Sequence, residues 1–198
     1  MNQRNLYIKT FGCQMNERDS EIMEQLLLPA GFIPVADVDA ADLVILNTCS
    51  IRAKAEQKVY SLLGQLRQNK KRNPGLLIGV AGCVAQQEGA RIQQKMPHVD
   101  LVVGTQQIYR LPDLVLQVAE KRGRPDPAVQ LSSSFRIPSF AEIHSKDLPF
   151  PAPEVYRKFV TIMQGCNNFC SYCVVPSTRG REVSRSVDDI LAEVETLV

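Results

Sequence analysis

The sequence predicts an α/β fold in which a doubly wound parallel sheet occupies approximately residues 1–122. Two observations predict it. Short apolar runs such as 43–46 and 101–104 have the uninterrupted hydrophobicity of parallel strands that are covered on both faces. Segments with apolar residues at helical spacing separate these runs, and such alternation of strands and helices is typical of a doubly wound sheet.

Each element of this domain follows from a local pattern. The first strand, at 6–11, is rich in β-branched and aromatic residues. Asn16 is a suitable N-cap for the helix that follows, which would bury Ile22 and Leu26 and close at Gly31. The remaining predicted elements are a strand at 43–46, a helix with apolar positions Ala55, Val59, Leu62 and Leu66, a strand at 76–81, a polar helix at 86–96, a strand at 101–104 and a helix with apolar positions Leu111, Leu114, Val115 and Val118.

The pattern changes after residue 122. Residues 123–155 contain six prolines and a run of serines, which suits a linker between domains. Order returns with a strand predicted at 159–163 and a helix whose capping box is Ser186 with Asp189. That helix would bury Ile190, Val194 and Leu197. One strand and one helix cannot bury their apolar faces alone, so residues 156–198 are interpreted as the beginning of an incomplete second domain.

Composition excludes several classes of protein. The chain has 23 basic and 21 acidic residues, so it lacks the strongly basic surface of a histone-like nucleic-acid binder. Neither a secretory signal nor an apolar stretch of membrane-spanning length is found in the sequence. We therefore expect a cytoplasmic protein without a membrane partner. Thiols stay reduced there, so six cysteines favour metal or redox chemistry over disulfides.

The most specific motif is a loop with three closely spaced cysteines, Cys166, Cys170 and Cys173, here called the loop trio. Three thiolates at this spacing can each bind one iron of a 4Fe–4S cluster and leave the fourth iron without a protein ligand. The amine and carboxylate of S-adenosylmethionine can occupy that position. A zinc site is the less favoured alternative, because zinc usually takes four protein ligands in a structural site.

A second set of cysteines, Cys13, Cys49 and Cys83, shares one context and is here called the N-terminal trio. Each follows a predicted strand and precedes a helix. All such turns of a parallel sheet lie at its carboxyl edge, so the three thiols are expected to converge there. Gly12 and Gly82 are expected to give an inorganic centre room near the backbone. The alternative is three ordinary buried thiols, and the repeated context favours a second cluster.

Charged residues give weaker signals. Arg179, Arg181 and Arg185 could meet a phosphate or a carboxylate, although a solvated surface is the commoner role of such a run. Basic residues between positions 54 and 72 could attract a nucleic-acid backbone. We favour a solvated surface for both groups.

Four segments resemble the methylthiotransferases, a family of radical enzymes. They are TFGCQMN at 10–16, NTCSIR at 47–52, GVAGCVA at 79–85 and QGCNNFCSYCVVP at 164–176. The resemblance covers essentially the whole chain, and the combination of motifs is highly specific. It implies that residues 1–122 are the family's N-terminal α/β domain, and that residues 156–198 are the truncated start of a radical SAM (β/α) barrel.

The resemblance also implies two 4Fe–4S clusters. The loop trio would hold the cluster that binds S-adenosylmethionine, with Tyr172 near the adenine through its backbone. The N-terminal trio would hold an auxiliary cluster. The implied reaction adds a methylthio group to the adenine ring of N6-isopentenyladenosine at tRNA position 37. Implied partners are tRNA and an electron donor such as a flavodoxin-type reductant, and a monomer is expected.

Two alternatives stay open. A sister branch of the family modifies an aspartate of a ribosomal protein with the same two clusters, although residues 14–16 and 50–52 are more similar to the tRNA-modifying branch. A non-catalytic iron–sulfur fragment that carries electrons or binds a partner is the other. Because the family's full barrel and C-terminal RNA-binding module are incomplete here, we expect the 198-residue chain alone to be inactive.

Overall fold

The structure is a computed structural model that describes residues 3–50, 53–120, 128–131, 136–143 and 157–197. Its strands are β1 (Arg4–Phe11), β2 (Phe32–Pro34), β3 (Leu43–Thr48), β4 (Leu77–Gly82), β5 (Leu101–Val103), β6 (Ala128–Gln130), β7 (Met163–Gln164) and β8 (Val183–Ser184). Its α-helices are α1 (Gln14–Leu27), α2 (Ala53–Arg72), α3 (Cys83–Glu88), α4 (Ala90–Lys95), α5 (Leu111–Glu120), α6 (Phe140–Ile143), α7 (Val175–Arg179) and α8 (Val187–Leu197).

Six strands form one parallel sheet in the order β2-β1-β3-β4-β5-β6. Apolar side chains of α1 and α5 belong to one core cluster, and those of α2 belong to a second. Strands β3 and β4 are buried over their full length, as is typical of central parallel strands. The predicted α/β fold with a doubly wound sheet is confirmed.

The direction of winding reverses beside β1. The chain moves outward from β1 to β2 and then returns to form β3 on the other side of β1. Such a reversal makes a topological switch point, where the turns after two neighbouring strands diverge and leave a crevice at the carboxyl edge. The turns that carry Cys13 and Cys49 follow these two strands.

The start of α1 differs from the prediction. Cys13 occupies the N-cap position and Asn16 the third helical position, so the predicted cap at Asn16 is wrong by one turn. Asn16 is fully buried, and its Nδ2 donates to Asn47 Oδ1 at 3.1 Å and to the Thr48 carbonyl oxygen at 3.2 Å. Because its amide ties the helix to β3, Asn16 serves packing between elements as well as the helix end.

Glycine and sheet pairing account for two further differences. The helix predicted at 86–96 is interrupted by Gly89, which has φ of 47° and separates α3 from α4. Strands β2 and β6 are short and lack a clear alternating pattern, so the sequence did not predict them. Strand β6 lies within the stretch expected to be a linker, yet it pairs with β5. The proposed boundaries of the domains stay predictions.

The C-terminal elements are only partly as predicted. Of the strand expected at 159–163, only Met163 belongs to a strand, and β7 pairs antiparallel with β8. The Ser186 Oγ accepts from the Asp189 amide at 3.3 Å, as a cap should. Val194 is 38% exposed, so its predicted burial is wrong. The residue that α8 buries most fully is Glu193, at 2% exposure.

Ion pairs attach these C-terminal elements to α1. Glu193 accepts from Arg18 of α1 and from Arg185, and the Arg18 and Arg185 side chains are each 5% exposed. Arg185 also pairs with Asp189 at 2.6 Å. The favoured solvated surface for Arg185 is therefore wrong, because neighbouring carboxylates surround it. In the basic stretch of α2, by contrast, Lys58 and most of the other described basic side chains are exposed.

No helix in the described part of the chain is both long enough and apolar enough to span a bilayer.

Candidate functional site

The structure brings the N-terminal trio to one cavity at the carboxyl edge of the sheet. Cys13 caps α1 after β1, Cys49 directly follows β3, and Cys83 is the first residue of α3 after β4. All three are free thiols, with Cys49 and Cys83 buried and Cys13 partly exposed. The turns are tightly packed, since a Cβ on Gly12 would lie 2.8 Å from the Cβ of Cys49.

This cavity has a volume of about 180 Å³. Its other wall comes from the C-terminal elements: Met163, Gln164, Gly165, Val174, Val175, Thr178 and Arg179 line it together with the N-terminal trio, Met15 and Ser50. These C-terminal residues lie immediately before and after the loop trio. The two sets of cysteines, far apart in sequence, are therefore carried by neighbouring segments.

Two contacts hold the second wall in place. Thr105, which follows β5, donates its hydroxyl to the Thr178 carbonyl oxygen at 2.6 Å. Arg179 pairs with Asp19 of α1 at 2.6 Å, and both side chains are 7% exposed. The solvated surface favoured for Arg179 is wrong, because its guanidinium is buried beside the cavity.

Charge near the cavity centres on Arg179. Burial lowers the pKa of Arg179, but the Asp19 carboxylate and the nearby Cys83 sulfur outweigh this effect and raise it, so the guanidinium stays charged. Burial raises the pKa of the Cys83 thiol, and the neighbouring guanidinium opposes that rise. The site thus combines three thiols with one buried cation, a setting that favours bound anionic sulfur.

Sequence reasoning missed part of this site. Asp19 carries no motif and was assigned no role, and its pairing with Arg179 joins positions 160 residues apart. Asp19 has the same helical spacing as Ile22 and Leu26, which could have predicted that it faces the sheet. This spacing does not identify the residue with which Asp19 pairs. Gly12 and Gly82 have a different purpose from the expected one. A Cβ at either would collide with protein atoms, among them Asn16, Asn47 and Thr48, so they permit close packing of the protein itself.

The loop trio lies on the segment between β7 and α7. Cys166 and Cys173 are partly exposed and Cys170 is exposed. The Cys166 amide donates to the Gly180 carbonyl oxygen at 3.1 Å, and the Cys173 amide donates to the Cys170 carbonyl oxygen at 2.9 Å. Tyr172 is 91% exposed, so its ring is free to meet another molecule. The loop is held at its base, and its three cysteines are partly or fully exposed.

The shape of that loop includes a residue with unusual backbone geometry. Phe169 has φ of 46°, in the left-handed region that bulky residues rarely adopt. Its ring is 56% exposed and lies 5.5 Å from the guanidinium of Arg181, so burial does not account for its conformation. Unusual backbone conformations of this kind concentrate at functional sites.

Each trio offers three thiols, and thiolates are the usual ligands of the irons of an iron–sulfur cluster. Among the described residues, no group of three or more His, Cys, Asp or Glu side chains is gathered closely enough to hold one metal ion. Three thiols around a cavity, or along a short exposed loop, suit an iron–sulfur cluster.

Curated proteins that share one name are similar to this chain. The protein from Desulfotalea psychrophila named tRNA-2-methylthio-N(6)-dimethylallyladenosine synthase is 59% identical to this chain, over 100% of this chain and 43% of its own length. Proteins of the same name from Geobacter sulfurreducens and Histophilus somni are 49% and 50% identical, over 98% and 97% of this chain. Their own lengths are covered to 42% and 39%. The chain spans about two fifths of the length of these curated relatives.

Among solved structures, the receiver domain of nitrogen regulatory protein C in its apo form matches 63% of this chain at 12% identity and a TM-score of 0.41. The family described as Uncharacterized protein family UPF0004 matches residues 5–104, which include the whole N-terminal trio. The resemblance to methylthiotransferases is thus confirmed by independent comparison, and the chain belongs to the UPF0004 family.

Proposed function

We propose that this chain is part of a radical enzyme that adds a methylthio group to the adenine ring of N6-isopentenyladenosine at position 37 of tRNA. The observation that carries the proposal is the position of the two trios. The N-terminal trio lines a cavity whose opposite wall is formed by the residues that flank the loop trio. Relatives named for this modification are similar to the chain over nearly its whole length.

The residues of each trio would have separate tasks. The loop trio would hold a 4Fe–4S cluster with S-adenosylmethionine, and the N-terminal trio would hold the auxiliary 4Fe–4S cluster. When bound, these groups supply a radical that can attack an unreactive aromatic C–H bond, together with the sulfur and methyl groups to be transferred. Tyr172, whose ring is exposed beside Cys173, would contact the adenine of S-adenosylmethionine through its backbone.

The protein's own contribution is placement and exclusion of water. The sheet edge holds the three N-terminal thiols on separate rigid turns, and apolar side chains such as Met15, Met163 and Val174 line the cavity between them. A radical needs such enclosure because stray C–H and S–H bonds would otherwise react with it. We further infer that the protein acts in the cytoplasm as a monomer, with an electron donor such as a flavodoxin-type reductant.

Iron analysis tests the two-cluster arrangement. After anaerobic reconstitution, we expect about eight iron and about eight sulfide per chain, and about four of each after either trio is changed to alanine. Met15→Leu, which alters the cavity wall without removing a thiol, is the matched control and should retain the full iron content. Zinc in place of iron, or unchanged iron after the change C13A/C49A/C83A, would contradict the proposal.

Nucleoside analysis tests the substrate. In a strain that lacks the gene, mass spectrometry should find the isopentenyl-adenosine of tRNA without its methylthio group, and the full-length gene should restore the modification. A segment limited to the present 198 residues should fail to restore it. If tRNA is unaffected and a ribosomal-protein aspartate loses its methylthio group instead, the sister activity is correct. If neither changes, the fragment acts as a non-catalytic iron–sulfur module.

A further inference from the structure

We propose that Arg179 stabilises negative charge at the N-terminal trio: Asp19, as the positioning residue, fixes the Arg179 guanidinium at the cavity wall, where it donates to the anionic sulfur of the centre held by that trio. This inference rests on the proposed auxiliary cluster. It concerns a residue that belongs to the segment of the loop trio and yet acts at the N-terminal trio.

The geometry supports this in two ways. Arg179 lines the cavity with Cys13, Cys49 and Cys83, and its side chain is 7% exposed. Its Nη2 donates to Asp19 Oδ2 at 2.6 Å, whereas its Nη1 is buried and makes no hydrogen bond of ordinary geometry to a described residue, although the Cys83 side chain lies near enough to raise the pKa of Arg179. A buried charged donor without a well-placed acceptor is strongly unfavourable, so an acceptor in the cavity is expected.

Asp19 determines where that donor points. It lies on α1, two turns from Cys13, and is itself buried. One carboxylate holding one nitrogen leaves the other nitrogens of the planar guanidinium in a fixed direction. Because Arg179 ends α7, this pair also fixes the end of the loop segment against α1. The same contact therefore orients the donor and ties the two trios together.

A buried cation beside a cluster has a measurable consequence. A cluster bound by thiolates becomes more negative when it is reduced, so an adjacent guanidinium favours the reduced form and raises the reduction potential. Removal of the charge should lower that potential even when the cluster still forms. A role limited to packing would leave the potential unchanged, which makes the potential the decisive measurement.

The test uses the chain in which the loop trio is changed to alanine, so that only the N-terminal trio can hold a cluster. Arg179→Gln, Arg179→Lys and Arg181→Gln are introduced separately. Arg181 is the matched control because it lies in the same segment but is exposed. After anaerobic reconstitution, iron content, circular dichroism and the reduction potential from an EPR-monitored titration are measured.

We expect the potential of Arg179→Gln to be more negative than that of the parent, with Arg181→Gln unchanged and Arg179→Lys closer to the parent than Arg179→Gln. If Arg179→Gln fails to fold, the comparison of Arg179→Lys with Arg181→Gln still tests the inference. The lysine places its charge differently from the guanidinium, so the reduction potential of Arg179→Lys should be lower than that of the parent by a smaller amount. Equal potentials in the Arg179 and Arg181 variants overturn the inference alone. A parent that binds no iron overturns the proposed auxiliary cluster, and this inference with it.

Discussion

Gly82→Ala should lower the free energy of unfolding by about 3 kcal/mol or more, because the substitution adds steric collision to backbone strain. Gly82 has φ of 90° at the end of β4, directly before Cys83. A Cβ there would lie 2.5 Å from both Asn47 Oδ1 and the Thr48 carbonyl oxygen. These atoms belong to buried β3 and cannot retreat without breaking its packing, so we expect the effect in urea-induced unfolding of the metal-free chain.

Substitutions at two other glycines distinguish the effect of backbone strain from that of steric collision. Gly31 has φ of 86°, but a Cβ added there would meet open space, so Gly31→Ala should show only the backbone strain, about 1 kcal/mol. Gly64 lies exposed in α2 with ordinary helical geometry and open space, so Gly64→Ala should stabilise the chain by about 0.5–1 kcal/mol. If Gly82→Ala destabilised no more than Gly31→Ala, the claim of a collision with β3 would fail.

Glu193→Ala should destabilise the chain by about 2–3 kcal/mol, because it removes a buried carboxylate that two buried arginines share, while each arginine keeps one other carboxylate. Glu193 is 2% exposed and accepts from Arg18 of α1 and from Arg185. Arg18 retains only Glu21 at 3.1 Å as an ion-pair partner among the described residues, and its Nε already has no hydrogen-bond partner there. The segment that carries the loop trio should therefore detach from α1 more often.

Hydrogen exchange measured by mass spectrometry distinguishes local opening of the C-terminal segment from unfolding of the whole chain. We expect faster exchange in residues 157–197, with the central strands of the sheet less affected. Glu195→Ala is the matched control on the same helix, since Glu195 is exposed and its loss should change stability by less than about 0.5 kcal/mol. Equal effects of the two substitutions would mean that the buried ion pairs do not hold the segment.

Patterns within a few residues predicted much of the sheet. Uninterrupted apolar runs identified β3, β4 and β5, since strands covered on both faces need apolar residues at every position. Helical spacing identified α2 and α5 for a similar reason. The short strands β2 and β6 escaped because three residues carry too little pattern, and they become strands only by pairing with β1 and β5.

The candidate site also has features that the sequence predicts and features that it does not. Both trios could be recognised from the sequence: the loop trio by its spacing, and the N-terminal trio because parallel strands bring their turns to a common edge. The roles of Arg179 and Arg185 could not be recognised. Whether an arginine is solvated or buried depends on a carboxylate that the chain brings to it from elsewhere, and no local pattern identifies that carboxylate.

Local patterns thus predict which residues could bind iron and which elements carry them, since spacing and apolar periodicity act over a few residues. Tertiary structure alone decides that the loop segment closes the cavity of the N-terminal trio. Two buried ion pairs hold the segment there: Asp19 with Arg179, 160 residues apart in sequence, and Arg18 with Glu193, 175 residues apart. A buried ion pair is stable only when its two side chains meet in good geometry. These partners are far apart in sequence, so only the folded chain brings them together.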